Sequence, residues 1–474
     1  MTWTARGDQV EDLAHFIRNP KDLMLHDPGV GKTIVAAIYA YYGWAYKKSR
    51  TALVQPISLM NKNRDEFLKF TNFDEKDVVC VTGTPKKRDE IMRSDAKVFL
   101  FGGDGYAKNW EQLQAYHPDL GINILDEPHL YFAGHKSVRT QSWYRSCRRM
   151  WSVIPMTGTI VKGKLDSIYP FLHASFPQYY GTYENFMARH AEMDENGKLI
   201  HWKNHHILRQ ILERHSICRS FESIYGEDAT VIITEPCELD EKTRAAYKEL
   251  EEFALIELED SFIEAGTPGL KAIRARQVLA CPEHLGIVRH DHVTGKDAAL
   301  ITHIEEAVCN QERLTIFSAL VPEQERICRI LDKMGLTYGL INGNTSLAKR
   351  QMFDEDFRAG RMQFIVGSPA CMSVGFNWGF LRKIIFASLD YMDDNFVQAY
   401  KRGVRGVRDQ PLLVYVLEYK KTIEQRIFAI VERKSRDAQM ITPHKKAVKF
   451  QGAALRMLND PGSDHQAFSM DAFL

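Results

Sequence analysis

The sequence predicts an α/β fold with two parallel-sheet domains and a helical insertion between them. Short apolar runs alternate with helix-like segments over residues 1–165, and the alternation returns over residues 296–435. A glycine-rich loop joins the first clear apolar run to the first clear helix, as a ligand-binding sheet edge requires. Residues 166–295 lose strand signals, gain aromatics and include amphipathic stretches such as Lys242 to Phe262, which predicts mainly helix. Residues 436–474 read as a C-terminal tail.

Leu23-Met24-Leu25 ends the first buried run, and Ile34-Val35-Ala36-Ala37-Ile38 begins a helix. Between them lies His26-Asp27-Pro28-Gly29-Val30-Gly31-Lys32-Thr33. Gly29 and Gly31 let the backbone turn tightly and aim N–H groups at phosphate oxygens. Lys32 would reach the β and γ phosphates, Thr33 would bind Mg²⁺, and the helix N-terminus adds its positive end. The eight-residue pattern opens with glycine elsewhere; here His26 stands in that place.

Gly121 to Leu125 predicts a central strand that delivers Asp126 and Glu127 to its C-terminal edge. Asp126 would complete the Mg²⁺ shell and Glu127 would polarise the attacking water. A nucleoside triphosphate and Mg²⁺ are therefore implied, and the resemblance given below makes the nucleotide ATP. Met156-Thr157-Gly158-Thr159 closes the next apolar run. Strands are expected at Leu314–Phe317, Gln363–Val366, Lys383–Phe386 and Leu412–Val416, and Gly266-Thr267-Pro268-Gly269 reads as a break between helices. Gln398 to Arg405 follows, with Arg408 beyond; Arg402 and Arg405, three apart, would share a helix face and could meet a γ-phosphate.

At 474 residues, 45% hydrophobic, the chain has material for two or three cores. No apolar run is long enough to span a bilayer and no signal-peptide pattern opens the chain, so a cytoplasmic protein without membrane contact is expected. The eight cysteines form no CxxC pair, and Cys281, His284, His290 and His292 match no common zinc spacing. Net charge is +1, so charge alone does not suggest a nucleic-acid partner. The stretch from Lys401 to Lys449 is nonetheless basic and could follow phosphates.

Taken together these motifs resemble the superfamily 2 helicase core, and in particular the Swi/Snf-type DNA translocases. Gln9 resembles the glutamine that contacts adenine. Ala52 to Leu59, followed by Asp65-Glu66-Phe67, is similar to motif Ia, and Asp126 to His129 matches a DExH box with Pro128 as a departure. Thr157-Gly158-Thr159 matches motif III, although Ile160 follows where proline is frequent. Ile168 to Pro177 and Arg274 to Pro282 resemble the subfamily's helical passage. Thr315 to Ser318 is similar to motif IV, with Ile341 to Ser346 as its sequel. Gly367-Ser368 and Gly375-Phe376-Asn377 resemble motif V, and Gln398, Arg402 and Arg405 match motif VI. A short insertion precedes Gln410.

The resemblance implies two RecA-like domains and an ATP hydrolase. ATP would be held by Gln9, Gly29, Gly31, Lys32, Thr33, Gly375 and Gln398, with Thr33 and Asp126 on Mg²⁺. Lys32, Asp126, Glu127, Arg402 and Arg405 would be catalytic. His129, Thr157, Gly158 and Thr159 would couple the phosphates to a nucleic-acid grip formed by Pro56, Ser58, Ser318, Asn342, Gly343 and Ser368. The implied partner is double-stranded or branched DNA, bound without sequence preference by a monomer that migrates branches in replication, recombination or repair. Recombination or replication proteins could dock on the tail. Compact members of this kind are encoded by bacteriophages and bacteria. The alternatives are a DExH-type RNA helicase and a nucleotide-switched DNA-binding scaffold that does not translocate.

Overall fold

Every buried apolar run singled out in the sequence lies in a parallel strand. The computed structural model describes residues 4–132, 134–158, 160–161, 164–197, 199–226, 230–251, 270–372, 375–391, 393–404 and 410–443. Thr159, Arg405, Arg408, the break at 266–269, most of the stretch 242–262 and the tail beyond 443 lie outside them. The chain forms two compact units: the described residues of 1–191, 202–226 and 437–445, and those of 192–201 and 227–436.

In the first unit the strands are β1 (Leu23–His26), β2 (Arg50–Val54), β3 (Val78–Cys80), β4 (Val98–Phe101), β5 (Leu120–Asp126) and β6 (Ser152–Met156). After the small β7 (Ala191–Met193) and β8 (Leu199–Trp202) pair comes β9 (Ser216–Arg219). The sheet order is β3-β4-β2-β5-β6-β1-β9, with every neighbouring pair parallel. Parallel sheets need cover on both faces, and alternate residues separate into two cores. Leu23, Leu25, Ala52, Val54, Phe99, Phe101, Leu125 and Val153 share one core with Trp110 and Trp143. Met24, Leu53, Leu100, Ile122, Ile124, Ile154 and Met156 share the other with Phe16, Val35 and Tyr39 from the first two helices.

Trp143 anchors the first of these cores. It is fully buried, stacks on Phe132 at 5.0 Å, and its Nε1 donates to the Oδ1 of Asn123 in β5 at 3.2 Å. Trp143→Ala leaves a large cavity and an unanswered buried amide, so a loss of about 3–5 kcal/mol is expected. Urea unfolding of the two forms measures it.

The second unit holds β10 (Thr230–Cys237), β11 (Leu314–Phe317), β12 (Tyr338–Ile341), β13 (Phe364–Gly367), β14 (Lys383–Phe386) and β15 (Leu412–Tyr419), ordered β10-β15-β14-β11-β13-β12. These pairs too are parallel. Helix Gly295–Cys309 packs on β10 and β15, and helix Val321–Lys333 on β12 and β13. The stretch 166–295, expected to be mainly helix, also supplies β9 to the first sheet and β10 to the second. Their residues are mostly half-buried, which mutes the apolar signal of an edge strand.

Candidate nucleotide site

The C-terminal edge of the first sheet gathers β1, β5 and β6 around the phosphate loop. Gly29 and Gly31 take φ of +90° and +107°, and Gly31 caps helix Lys32–Lys47. Only glycine adopts such angles without strain, and the turn brings the helix N-terminus to the site. Thr33 is the second residue of that helix and is half-buried.

Lys32 bridges the loop to the acidic pair. Its Nζ donates to the His26 carbonyl at 3.0 Å and lies 3.2 Å from Glu127 Oε1. Asp126 and Glu127 are both buried at the end of β5. Burial and then the charge of Glu127 raise the Asp126 carboxyl well above the usual carboxylate range. Burial also opposes ionisation of Glu127, but Lys32, His129 and the Thr157 hydroxyl together outweigh it and hold that carboxyl low. One carboxylate is thus charged and the other is poised to ionise when a cation arrives.

Glu127 takes φ of +48°, an unusual left-handed backbone for a non-glycine residue, followed by a short 3-10 turn over Pro128–Leu130. Pro128 suits that first turn position, where its missing N–H costs nothing. The turn swings His129 back toward Glu127. Thr157 Oγ1 donates to Glu127 Oε2 at 2.7 Å and lies 3.1 Å from His129 Nδ1. Gly158 lets the segment after β6 touch the loop: a Cβ there would lie 3.0 Å from both the His26 carbonyl oxygen and Pro28 Cδ.

Gln9 is buried on helix Gly7–Arg18, where its Oε1 accepts from the Arg6 amide at 3.1 Å. A Cβ on Gly31 would sit 2.8 Å from Gln9 Nε2, an atom that has no hydrogen-bond partner among the described residues. Sequence inspection missed a second tier around the loop. Arg6 donates to the Val30 carbonyl at 2.6 Å and to Tyr225 Oη at 3.2 Å. The Phe221 amide donates to Asp27 Oδ2 at 3.0 Å, and Arg219 Nε donates to Asp12 Oδ1 at 3.0 Å. Phe221 and Tyr225, whose hydroxyl lies 3.5 Å from the Gly29 carbonyl oxygen, therefore hold a loop 194 to 196 positions earlier in the chain.

His26 lies beneath this tier, fully buried, 3.5 Å from Asp12. Burial, then Lys32, lowers the imidazole to about 3 from 6.5. The unfolded chain therefore binds a proton that the folded one refuses, and stability is lost as pH falls from 6.5 toward 3. Asp12, raised to about 6 by burial, acts in the opposite direction. His26→Leu is expected to flatten the fall of Tm below pH 6.5, which thermal melts across pH will read.

A family model for the SNF2-related domain matches residues 9–291, more than half of the chain. The chain belongs to the SNF2-related family. A SWI/SNF-related matrix-associated actin-dependent regulator of chromatin subfamily A-like protein 1 from Xenopus tropicalis is 22% identical over 88% of this chain. That alignment covers 42% of the relative, so the chain spans less than half the length of this curated protein. The Hef helicase domain of Pyrococcus furiosus covers 90% of this chain and 97% of its own, at 15% identity and a TM-score of 0.52. The SWI2/SNF2 ATPase core of Sulfolobus solfataricus, solved with dsDNA, covers 92% and 94% at 17% identity and a TM-score of 0.42. The two parallel-sheet units are RecA-like, and the SNF2-related family is one of helicase-type ATPases.

In the second unit of this SNF2-related protein the motif residues take varied positions. Gln398 is buried on helix Asp393–Tyr400, and its carbonyl accepts from Arg402 Nε at 3.0 Å. Arg402 is itself largely buried, and Gly375 turns with φ of +98°. Ser318 was expected to touch nucleic acid, but it is fully buried and its hydroxyl donates to Glu323 Oε2 at 2.5 Å. Asn342 is likewise buried, with Nδ2 on Gln324 at 3.3 Å and Oδ1 accepting from the Asn344 amide at 3.0 Å. Both side chains shape their loops rather than face outward. Ser58 and Gly343 are exposed, and Pro56 and Ser368 are half-buried, so these remain open to a ligand.

Proposed function

We propose that this SNF2-related ATPase moves along double-stranded or branched DNA without sequence preference and remodels forks or recombination intermediates. The observation that carries the reading is the Thr157 hydroxyl, which joins Glu127 to His129. It connects the carboxylate beside the phosphates to the segment after β6, so a change at the γ-phosphate can reach a distant grip. DNA follows from the family and from a relative named as a regulator of chromatin. The exposed turns at Ser58 and Gly343 suit backbone contacts to phosphate, which carry no sequence information.

ATP fits the loop, and the orphaned Gln9 Nε2 suits its adenine. Mg²⁺ fits the buried Asp126–Glu127 pair, whose charge Lys32 alone no longer balances once Asp126 ionises. Held by Thr33 and Asp126, it would neutralise the β- and γ-phosphates. Lys32 would meet the γ-phosphate while staying beside Glu127, whose carboxylate takes a proton from the attacking water. Arg402 and Arg405 are the arginines proposed to offset charge on the transferring phosphate.

Pro128, a departure from the DExH pattern, is the feature that would favour a scaffold without translocation, yet it sits where a proline suits the backbone. The RNA alternative rests on the DExH pattern at 126–129, whereas the passage from Ile168 to Pro282 resembles the DNA translocases. Steady-state ATPase rates with duplex, single-stranded, forked and four-way-junction DNA, and with RNA, test the proposal. Strong stimulation by duplex or branched DNA, together with triplex displacement, is expected. Stimulation by RNA alone, or turnover without displacement, would overturn it.

A further inference from the structure

On the face of the first sheet away from the phosphate-loop helix lies a half-open cavity of about 240 Å³. Tyr144 belongs to the core on that face, whereas Val35 and Tyr39 of the loop helix belong to the other. Helix Val138–Cys147, helix Tyr169–Ser175 and helix Tyr183–His190 wall the cavity, together with His135.

Its walls are rings. His135 stacks on Tyr183 at 4.4 Å with the planes 14° apart, and His173 lies 4.6 Å from Tyr144 and 5.4 Å from Tyr169. Burial lowers the pKa of both His135 and His173, so neither imidazole carries charge at neutral pH. The positive charge comes from Arg145 and Arg148, three residues apart at the end of one helix and exposed at the mouth. Among the described residues, Arg145 has only an exposed, 3.8 Å ion pair with Glu111. Glu184, exposed on another wall, is held ionised by its own backbone and the Thr182 hydroxyl. Two buried polar atoms lining the cavity, Tyr144 Oη and His135 Nε2, have no hydrogen-bond partner among the described residues. Buried polar atoms are rarely left so.

This set of groups matches one ligand chemistry. Stacked rings take a planar heteroaromatic base, paired guanidiniums take a phosphate, and a carboxylate takes an amine or sugar hydroxyl. A volume below the ~300–1,000 Å³ of drug-sized sites admits one nucleotide rather than two. We propose that this cavity binds a single nucleotide whose base is unstacked, distinct from the ATP at the phosphate loop. The nucleotide comes either free from solution or as one base turned out of a bound strand.

The test uses the full chain saturated with ADP, so that the phosphate loop is filled and no hydrolysis is read. Cytidine 5′-monophosphate is titrated by calorimetry, and a duplex with one unpaired 2-aminopurine is followed by fluorescence. The variants are Arg145→Ala combined with Arg148→Ala, and Tyr183→Leu, each checked for an unchanged melt. Cytidine monophosphate binding that weakens at least tenfold in both variants supports the free nucleotide. Aminopurine quenching lost in both variants supports the strand-borne base. No response from either probe, equal responses in the variants, or binding of a phosphotyrosyl peptide alone would overturn the proposal. Because no turnover is measured, failure here is separate from failure of the translocase.

Discussion

Glu127→Gln is expected to reduce ATP turnover by about 10²–10⁴ while ATP binding persists. Glutamine keeps the size of the side chain and an oxygen for the Thr157 hydroxyl, which now donates to Glu127 Oε2 at 2.7 Å. It cannot take a proton from water. The native carboxyl is held below its ordinary range, against the effect of burial, by Lys32, His129 and Thr157, so it stays ionised throughout neutral pH. Removing its charge also removes the repulsion that helps to raise Asp126. The variant should therefore fold at least as well as the parent. Single-turnover hydrolysis beside equilibrium binding of a fluorescent ATP analogue separates the two effects. Turnover within threefold of the parent would show that another group activates the water.

The phosphate loop and the acidic pair were legible because their chemistry is local. Two glycines, a lysine and a threonine in eight residues leave few backbone paths, and the structure has both glycines at positive φ. His26, where the pattern expects glycine, causes no conflict. It is the last residue of β1 in ordinary strand backbone, and its carbonyl rather than its side chain meets Lys32. The strands were legible for a similar reason, since residues buried on both faces form continuous apolar runs.

What stayed hidden depends on contacts between distant residues. Nothing in the spacing of Arg6 and Tyr225, or of Asp27 and Phe221, announces that each pair meets. β9 was hidden because Ser216-Ile217-Cys218-Arg219 is short, half-buried and directly follows helix His205–His215. Ser318 and Asn342 sit in the loops that the motif resemblance singled out, but their side chains are buried. Glu323 and Gln324, one turn into the next helix, draw both side chains inward. A motif letter identifies a loop, and burial decides which of its atoms are available.

Lys32→Ala should have the largest effect, because that ammonium serves two charges. It faces the phosphates from the helix N-terminus, and it is the foremost of the groups that keep Glu127 ionised. Losing the phosphate contact alone is expected to cost about 10²–10³ in rate. Losing the ion pair at 3.2 Å adds a second deficit, since the Glu127 carboxyl then rises and less of it is charged at neutral pH. Residual hydrolysis in the variant should accordingly increase with pH more steeply than in the parent, which a steady-state pH profile will show. The stability cost should stay small. Asp126 already leans toward its neutral form, so the buried pair can answer the missing cation by holding a proton. Circular dichroism melts at pH 7 should therefore remain close to the parent's. Normal hydrolysis by a folded Lys32→Ala chain would place the nucleotide somewhere other than the loop at 26–33.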